Sequence, residues 1–140
     1  MSLKRKEIAI ETHAKEEVRD ITPQVNDAVR ALGVAEGMVL LFCPHTTAAL
    51  TVNEAADPDV RVDFCRAFSR MVPNIPFSHE EGNSPAHVRA ALLGPSLLLP
   101  VEEGRLALGT WQGVYFCEFD GPRRRRVLVY GLVEGDLRQS

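Results

Sequence analysis

Residues 37–53, GMVLLFCPHTTAALTVN, decide the fold. From Met38 to Cys43 every side chain is apolar, so both faces of an extended segment need cover and a central strand is predicted. Pro44 stops it, because proline has no N–H to give to a ladder. After the Pro44-His45 interruption, Ala48–Asn53 resumes as a second strand. Outward from this pair, three segments share one opening device: Thr22-Pro23, Asp57-Pro58 and Ser84-Pro85 each place a capping side chain before a proline. Proline fits the first helical position, where the N–H would have no helical acceptor.

Apolar spacing predicts a helix after each opener. In the first, Val25, Ala28, Val29 and Leu32 share a face and Gly33 supplies the stop. In the second, Val60, Phe64, Ala67, Phe68 and Met71 form a wide stripe that must be buried. The third runs from Pro85 to about Leu93 and ends at Gly94-Pro95. Further strands are predicted at Arg5–Thr12, with Ile8 and Ile10 on one face, and at Glu17–Ile21, Ser96–Val101, Leu106–Gly109, Val114–Phe119 and Arg125–Leu132. Asp120-Gly121 reads as a hairpin turn joining the last two. Strands and helices followed by a run of strands with short links predict a single α+β domain, residues 1–140, with about three helices and mostly antiparallel sheets.

The chain has 140 residues, 45% of them apolar and 25% charged, which suits one core and not disorder. With a net charge of −3, nothing overall attracts a polyanion, so no nucleic-acid partner is expected. Cys43, Cys65 and Cys117 are odd in number, far apart and set in apolar runs; they read as buried thiols in a reducing compartment. The basic start, MSLKRKEIAIE, regains charge before any long apolar stretch forms, and no stretch approaches the ~20 apolar residues of a membrane span. A cytoplasmic location without membrane attachment is expected.

Four segments carry more polar and special residues than a scaffold requires. His45, Thr46 and Thr47 sit at a break in a strongly apolar strand and could face a ligand, or simply bond their own turn. Asn53, Glu54, Asp57 and Asp59 gather at a helix start, where acids are favoured by the helix dipole. Asp57 is a cap, or a carboxylate that reaches a metal or orients a histidine. Residues 79–87, HEEGNSPAH, bracket an acidic, glycine-containing loop with His79 and His87. With Ser84 as cap, His87 lies in the first turn, whose free N–H groups suit a phosphate. Their spacing matches no standard zinc motif. Finally, Gly109–Gly113 holds the only tryptophan. Trp111 offers a flat π-face, Gln112 a donor and an acceptor, and the glycines allow close backbone approach. Along Arg123–Arg126, alternate side chains point to opposite faces, so a solvated or intersubunit surface is the default. One planar guanidinium of this run can still bind phosphate.

These residues resemble the YjbQ-like family, small bacterial and archaeal proteins described as secondary thiamine-phosphate synthases. The resemblance rests on His45-Thr46-Thr47, Asn53-Glu54 with Asp57-Pro58, and His79 through Glu81-Gly82-Asn83 to Ala86-His87. It continues through Leu93-Gly94, Ser96, Pro100-Val101, Gly104-Arg105-Leu106, Leu108 to Gly113, Glu118 and Gly121-Pro122-Arg123. It implies a sandwich-like α+β fold, a homotrimer, and a polar cleft made of His45, Asn53, Asp57, His79, Glu81, Asn83, His87, Trp111 and Gln112.

The implied activity is that of a thiamine-phosphate synthase-like transferase, joining an aminopyrimidine pyrophosphate to a thiazole phosphate with release of pyrophosphate. In that reading His45, His79 and His87 are metal ligands or acid–base groups for zinc, magnesium or manganese. Asp57 and Glu81 assist them. Thr46, Thr47, Asn53, Asn83, Trp111, Gln112 and Arg123 bind a phosphorylated or heteroaromatic small molecule. Two other readings use the same residues: a metal-dependent hydrolase of a phosphorylated metabolite, and a trimeric protein that captures such a ligand without turnover.

Overall fold

Eleven elements follow one another in a computed structural model that describes residues 2–73, 75–79 and 82–133. They are β1 (Ser2–Glu11), β2 (Glu17–Asp20), α1 (Thr22–Leu32), β3 (Gly37–Phe42), β4 (Ala48–Glu54), α2 (Pro58–Arg70), α3 (Ser84–Leu93), β5 (Ser96–Glu102), β6 (Arg105–Leu106), β7 (Gln112–Glu118) and β8 (Arg124–Val133). The strands form a five-stranded sheet, β1-β8-β3-β5-β6, and a three-stranded sheet, β2-β7-β4. Every pairing is antiparallel. The α+β class with three helices is thus as the element order predicts.

Strand alternation decides what the core contains. Ile8 and Ile10 on β1, Val39 and Leu41 on β3, and Val127 and Val129 on β8 point inward. There they meet Leu50, Val114 and Phe116 of the second sheet and Val25, Val29 and Leu32 of α1. Gly33 ends α1 in the left-handed conformation, at φ 74°, as its position predicts. Thr22 does not cap it. Its N–H and hydroxyl both donate to Asp20 Oδ1, while its Oγ1 accepts the Val114 N–H across the sheet.

Four expectations are corrected. The outward face of β3 is uncovered: Met38 and Phe42 are exposed, although β3 lies between β8 and β5. The α2 stripe is not buried, since no α2 residue reaches full burial; Phe64 and Phe68 pack partly against Tyr115 and Phe119, and Met71 lies exposed. The strand expected over Leu106–Gly109 shrinks to Arg105–Leu106, because Gly109 and Gln112 close a turn instead. Most important, Asp120-Gly121 makes no hairpin. β7 and β8 belong to different sheets, and the link's N–H and C=O groups bond neighbouring loops: Phe119 N–H to Thr47 O, Gly121 N–H to Lys15 O, Thr12 N–H to Arg123 O.

Gly113, buried in β7, is a case of the close approach expected there. A Cβ at this position would lie 2.5 Å from Ala55 Cβ and 3.0 Å from Thr22 Oγ1. Gly113→Ala should therefore cost about 1–3 kcal/mol by overpacking, seen as a lower urea midpoint with an unchanged m-value. A midpoint equal to that of the parent would mean the Ala55 loop yields freely. Among the described residues, no helix is long and apolar enough to cross a membrane.

Candidate functional site

Two of the chain's crossings between the two sheets lie side by side. One crossing is residues 44–47, between β3 and β4; the other is residues 119–123, between β7 and β8. The Phe119 N–H to Thr47 O bond, 3.1 Å, ties them together. The start of α3 joins them, because Asn83 Nδ2 donates to Asp120 Oδ2 at 3.0 Å. A cleft of about 340 Å³ opens at this junction. His45, Thr46, Thr47, Asn83, His87 and Arg123 line it, six of the residues singled out in the sequence, together with Pro44, Asp120 and Arg125.

Its floor is a buried ion pair. Arg125 takes the inward position on β8 ahead of Val127 and Val129, and the register places Glu118 at the end of β7. Glu118 has no exposed surface and Arg125 keeps 7% of its own. The guanidinium donates through Nε to Glu118 Oε1 at 2.9 Å and through Nη2 to Oε2 at 2.5 Å. Thr12 Oγ1 donates to Oε1 at 2.7 Å and the Asp120 N–H to Oε2 at 3.1 Å. Burial alone raises the Glu118 pKa, yet the hydrogen bonds from Arg125, Thr12 and Asp120 outweigh it and hold the carboxyl below its ordinary value. Arg125 Nη2 also donates to Thr47 Oγ1 at 2.8 Å, which fixes the threonine turn above the pair.

His45 is half-buried, and its Nε2 accepts the Arg126 N–H at 3.0 Å. Its neutral ring therefore carries the proton on Nδ1, as a donor. Burial first, and then the charge of Arg125, hold its pKa below the usual histidine value, so the neutral form persists at pH 7. Arg123 reaches Asp120 through Nη2 at 3.0 Å and donates from Nε to the Asp120 carbonyl at 2.7 Å. The hydrogen bond from Asn83, then the Arg123 charge against partial burial, keeps Asp120 below the usual carboxylate range.

His87 sits one position deeper in its helix than the sequence suggests, because Asn83, not Ser84, is the N-cap. Pro85 has no N–H, and those of Ala86 and His87 both go to Asn83 O, so the first turn has few amides left for an anion. The His87 ring stands edge-to-face with His79, centroids 5.5 Å apart. His79 and His87 also line a second hollow of about 400 Å³, with Phe77, Ser84 and Val88. His87 belongs to both hollows.

The structure does not bring Asn53, Asp57, Trp111 or Gln112 here within one chain. Asn53 pairs with Gly113 and Glu54 with Gln112, at the end of the β4–β7 ladder opposite Thr47 and Glu118. Six residues of strand make that about 20 Å. Asp57 caps α2, accepting the Asp59 N–H at 2.9 Å, and Asn53 accepts the Glu54 N–H. Gln112 Oε1 accepts the Gly109 N–H, and Trp111 is 64% exposed. Glu81 lies outside the described residues.

The three-histidine metal site is likewise not assembled. Two imidazoles on one tetrahedral ion would have centroids roughly 5 Å apart, which His79 and His87 match. His45 Nε2, however, is taken by the Arg126 N–H, and among the described residues no three His, Cys, Asp or Glu side chains group around a common point. The described residues thus supply one histidine pair, and no complete ligand set for zinc, manganese or magnesium. Sequence reasoning missed Glu118, Asp120 and Arg125 as cleft residues. The available signal was Glu118 itself, a carboxylate inside the apolar run VYFCEF.

The pattern of the family described as "UPF0047 protein YjbQ-like" matches residues 6–134. The UPF0047 protein YugU of Bacillus subtilis is 47% identical over 129 residues, spanning 89% of this chain and 96% of its own length. The UPF0047 protein MJ1081 of Methanocaldococcus jannaschii is 46% identical over 121 residues, spanning 86% and 88%. A solved structure of a family member from Clostridium acetobutylicum superposes with a TM-score of 0.85 at 47% identity, covering 91% of this chain and 99% of that one. One from Sulfolobus solfataricus gives 0.87 at 34% identity, covering 95% and 99%.

Proposed function

The chain belongs to the YjbQ-like UPF0047 family, and we propose that it is an enzyme acting on a phosphorylated small molecule held in the cleft between His45, His87, Arg123 and Arg125. One observation carries the reading: a buried arginine, locked by Glu118 and Thr47, forms the floor of an opening ringed by two histidines, a threonine hydroxyl and a second arginine. Arg125 Nε and Nη2 are engaged by Glu118 and Thr47, which leaves Nη1 for a bound oxygen. A guanidinium fixed in this way meets an oxyanion without losing further side-chain entropy. His45 donates from Nδ1, Thr46 from its hydroxyl, and Arg123 swings between Asp120 and the ligand.

The reaction proposed is thiamine-phosphate synthase-like. The bond between the pyrimidine methylene carbon and the pyrophosphate oxygen breaks, with its electron pair leaving on oxygen. A bond from the thiazole nitrogen to that carbon forms. Charge grows on the departing pyrophosphate, and preorganised donors there lower the barrier. Arg125, Arg123 and His45 supply them, and His87 adds a hydrogen bond to the leaving oxygen.

Calorimetric titration with inorganic phosphate tests the cleft: the parent should bind it, and Arg123→Ala should weaken binding about tenfold. Affinity unaltered by Arg123→Ala would place the anion elsewhere. Binding without formation of thiamine phosphate would leave a ligand-capturing protein rather than a transferase.

We further propose that the chain works as a homotrimer. The support is the outer face of the five-stranded sheet, where Leu3, Met38, Phe42 and Leu98 are 62%, 39%, 37% and 55% exposed. The register sets Leu132 and Tyr130 between them. Such a patch is the kind that oligomers cover. Sedimentation should give three times the chain mass, and Leu98→Asp should shift it to that of one chain; a parent that sediments as one chain contradicts the trimer.

A further inference from the structure

We propose that the groove formed by Phe77 and Val88 beside His79 and His87 holds the planar apolar part of the phosphorylated substrate. This deepens the phosphate reading above and rests on it. Two hollows meet at one residue. The cleft of about 340 Å³ offers guanidinium, hydroxyl and imidazole donors, whereas the groove of about 400 Å³ offers Phe77, Val88 and the ring edges of His79 and His87. Together they fall within the usual size of a small-molecule site.

His87 lines both, so a phosphate seated against Arg125 has its organic substituent one imidazole away from the Phe77 ring. The chemistry on the two sides of His87 is complementary to one class of molecule: a phosphate ester whose other end is a flat, largely apolar ring. Phe77 is half-buried, so the ring is held in position rather than free in solvent, while Val88 is exposed at the groove's edge. Aromatic rings pair edge-to-face or offset at 4.5–7 Å, a range that the His79–His87 pair already occupies at 5.5 Å. The ring platform is therefore Phe77, and not Trp111 about 20 Å along the β4–β7 ladder. Phe77 is a specificity residue in this assignment, without a part in bond making or breaking.

The experiment is calorimetric titration of the full chain with inorganic phosphate and with phenyl phosphate. The parent should bind phenyl phosphate about tenfold more tightly than phosphate, the gain expected from covering one face of a ring. Phe77→Ala should erase the difference and leave phosphate affinity unchanged. Val88→Ser, on the exposed side of α3, should narrow the difference without perturbing the loop. Equal affinity of the parent for both ligands overturns this assignment alone. So does a Phe77→Ala variant that keeps the preference, or one that weakens both ligands equally. If neither ligand binds the parent, the phosphate reading falls and this one with it.

Discussion

Glu118→Ala should lower the free energy of unfolding by about 3–5 kcal/mol, the loss expected when one partner of a buried ion pair is removed. The remaining Arg125 would be a charge with 7% of its surface in water and no carboxylate to meet it. Thr12 Oγ1 and the Asp120 N–H would lose their acceptor as well. That is a large share of the 5–15 kcal/mol that holds a typical domain, and urea unfolding measures it directly. Glu118→Gln should cost less, because the amide oxygen still accepts from Arg125 Nε or Nη2.

The same pair fixes an acid limit. The Glu118 carboxyl titrates lower in the folded chain than its ordinary value of 4.5. The contribution of the pair is fully present above pH 4.5 and is lost as the pH falls through the lower folded value. Glu118→Gln should flatten the stability–pH curve in that window. A curve as steep as that of the parent would assign the acid limit to other carboxylates.

On the transferase reading proposed above, His87→Ala should reduce kcat for thiamine-phosphate formation by about 10²–10³-fold, with KM changed far less. This is the pattern of a donor that acts on charge developing only in the transition state. The position of His87 is the reason: it lines both the cleft that contains Arg125 and the groove beside Phe77. His79→Ala, at a residue that lines the groove, should raise KM more than it lowers kcat on the same reading. Steady-state kinetics of the two variants separate the roles, and an unchanged kcat in His87→Ala removes that residue from the chemistry.

Local structure was legible in the sequence wherever the cause is local. Proline after Thr22, Asp57 and Ser84 opens each helix, and Gly33 ends the first in the left-handed conformation. Caps were less legible. Asp57 caps α2, but Thr22 is engaged by Asp20, and Asn83 takes the place expected of Ser84. The hairpin at Asp120-Gly121 failed for a non-local reason. Turn residues show that the chain bends, and its partners decide whether the two strands pair. Here Thr47, Lys15 and Thr12, all distant in sequence, hold the link open across two sheets.

The candidate site divides along the same line. His45 to Thr47 and Asn83 to His87 converge because a sheet crossing and a helix start meet at Asp120. Trp111 and Asn53 are as polar or distinctive as these residues. They nevertheless lie at the opposite end of one ladder, a separation that composition does not encode. Arg125 looked like one cation in a solvated run. Only its parity with Val127 and Val129, combined with a carboxylate buried in β7, turns it inward.

The central claim is that a single oxyanion lies between two imidazoles, that of His45 on a sheet crossing and that of His87 near the start of α3. Nuclear magnetic resonance of histidine ring nitrogens during titration with inorganic phosphate addresses it most directly. The account predicts that the His45 and His87 signals shift together along one saturation curve. Saturation at different phosphate concentrations, or no shift at either ring, would contradict it.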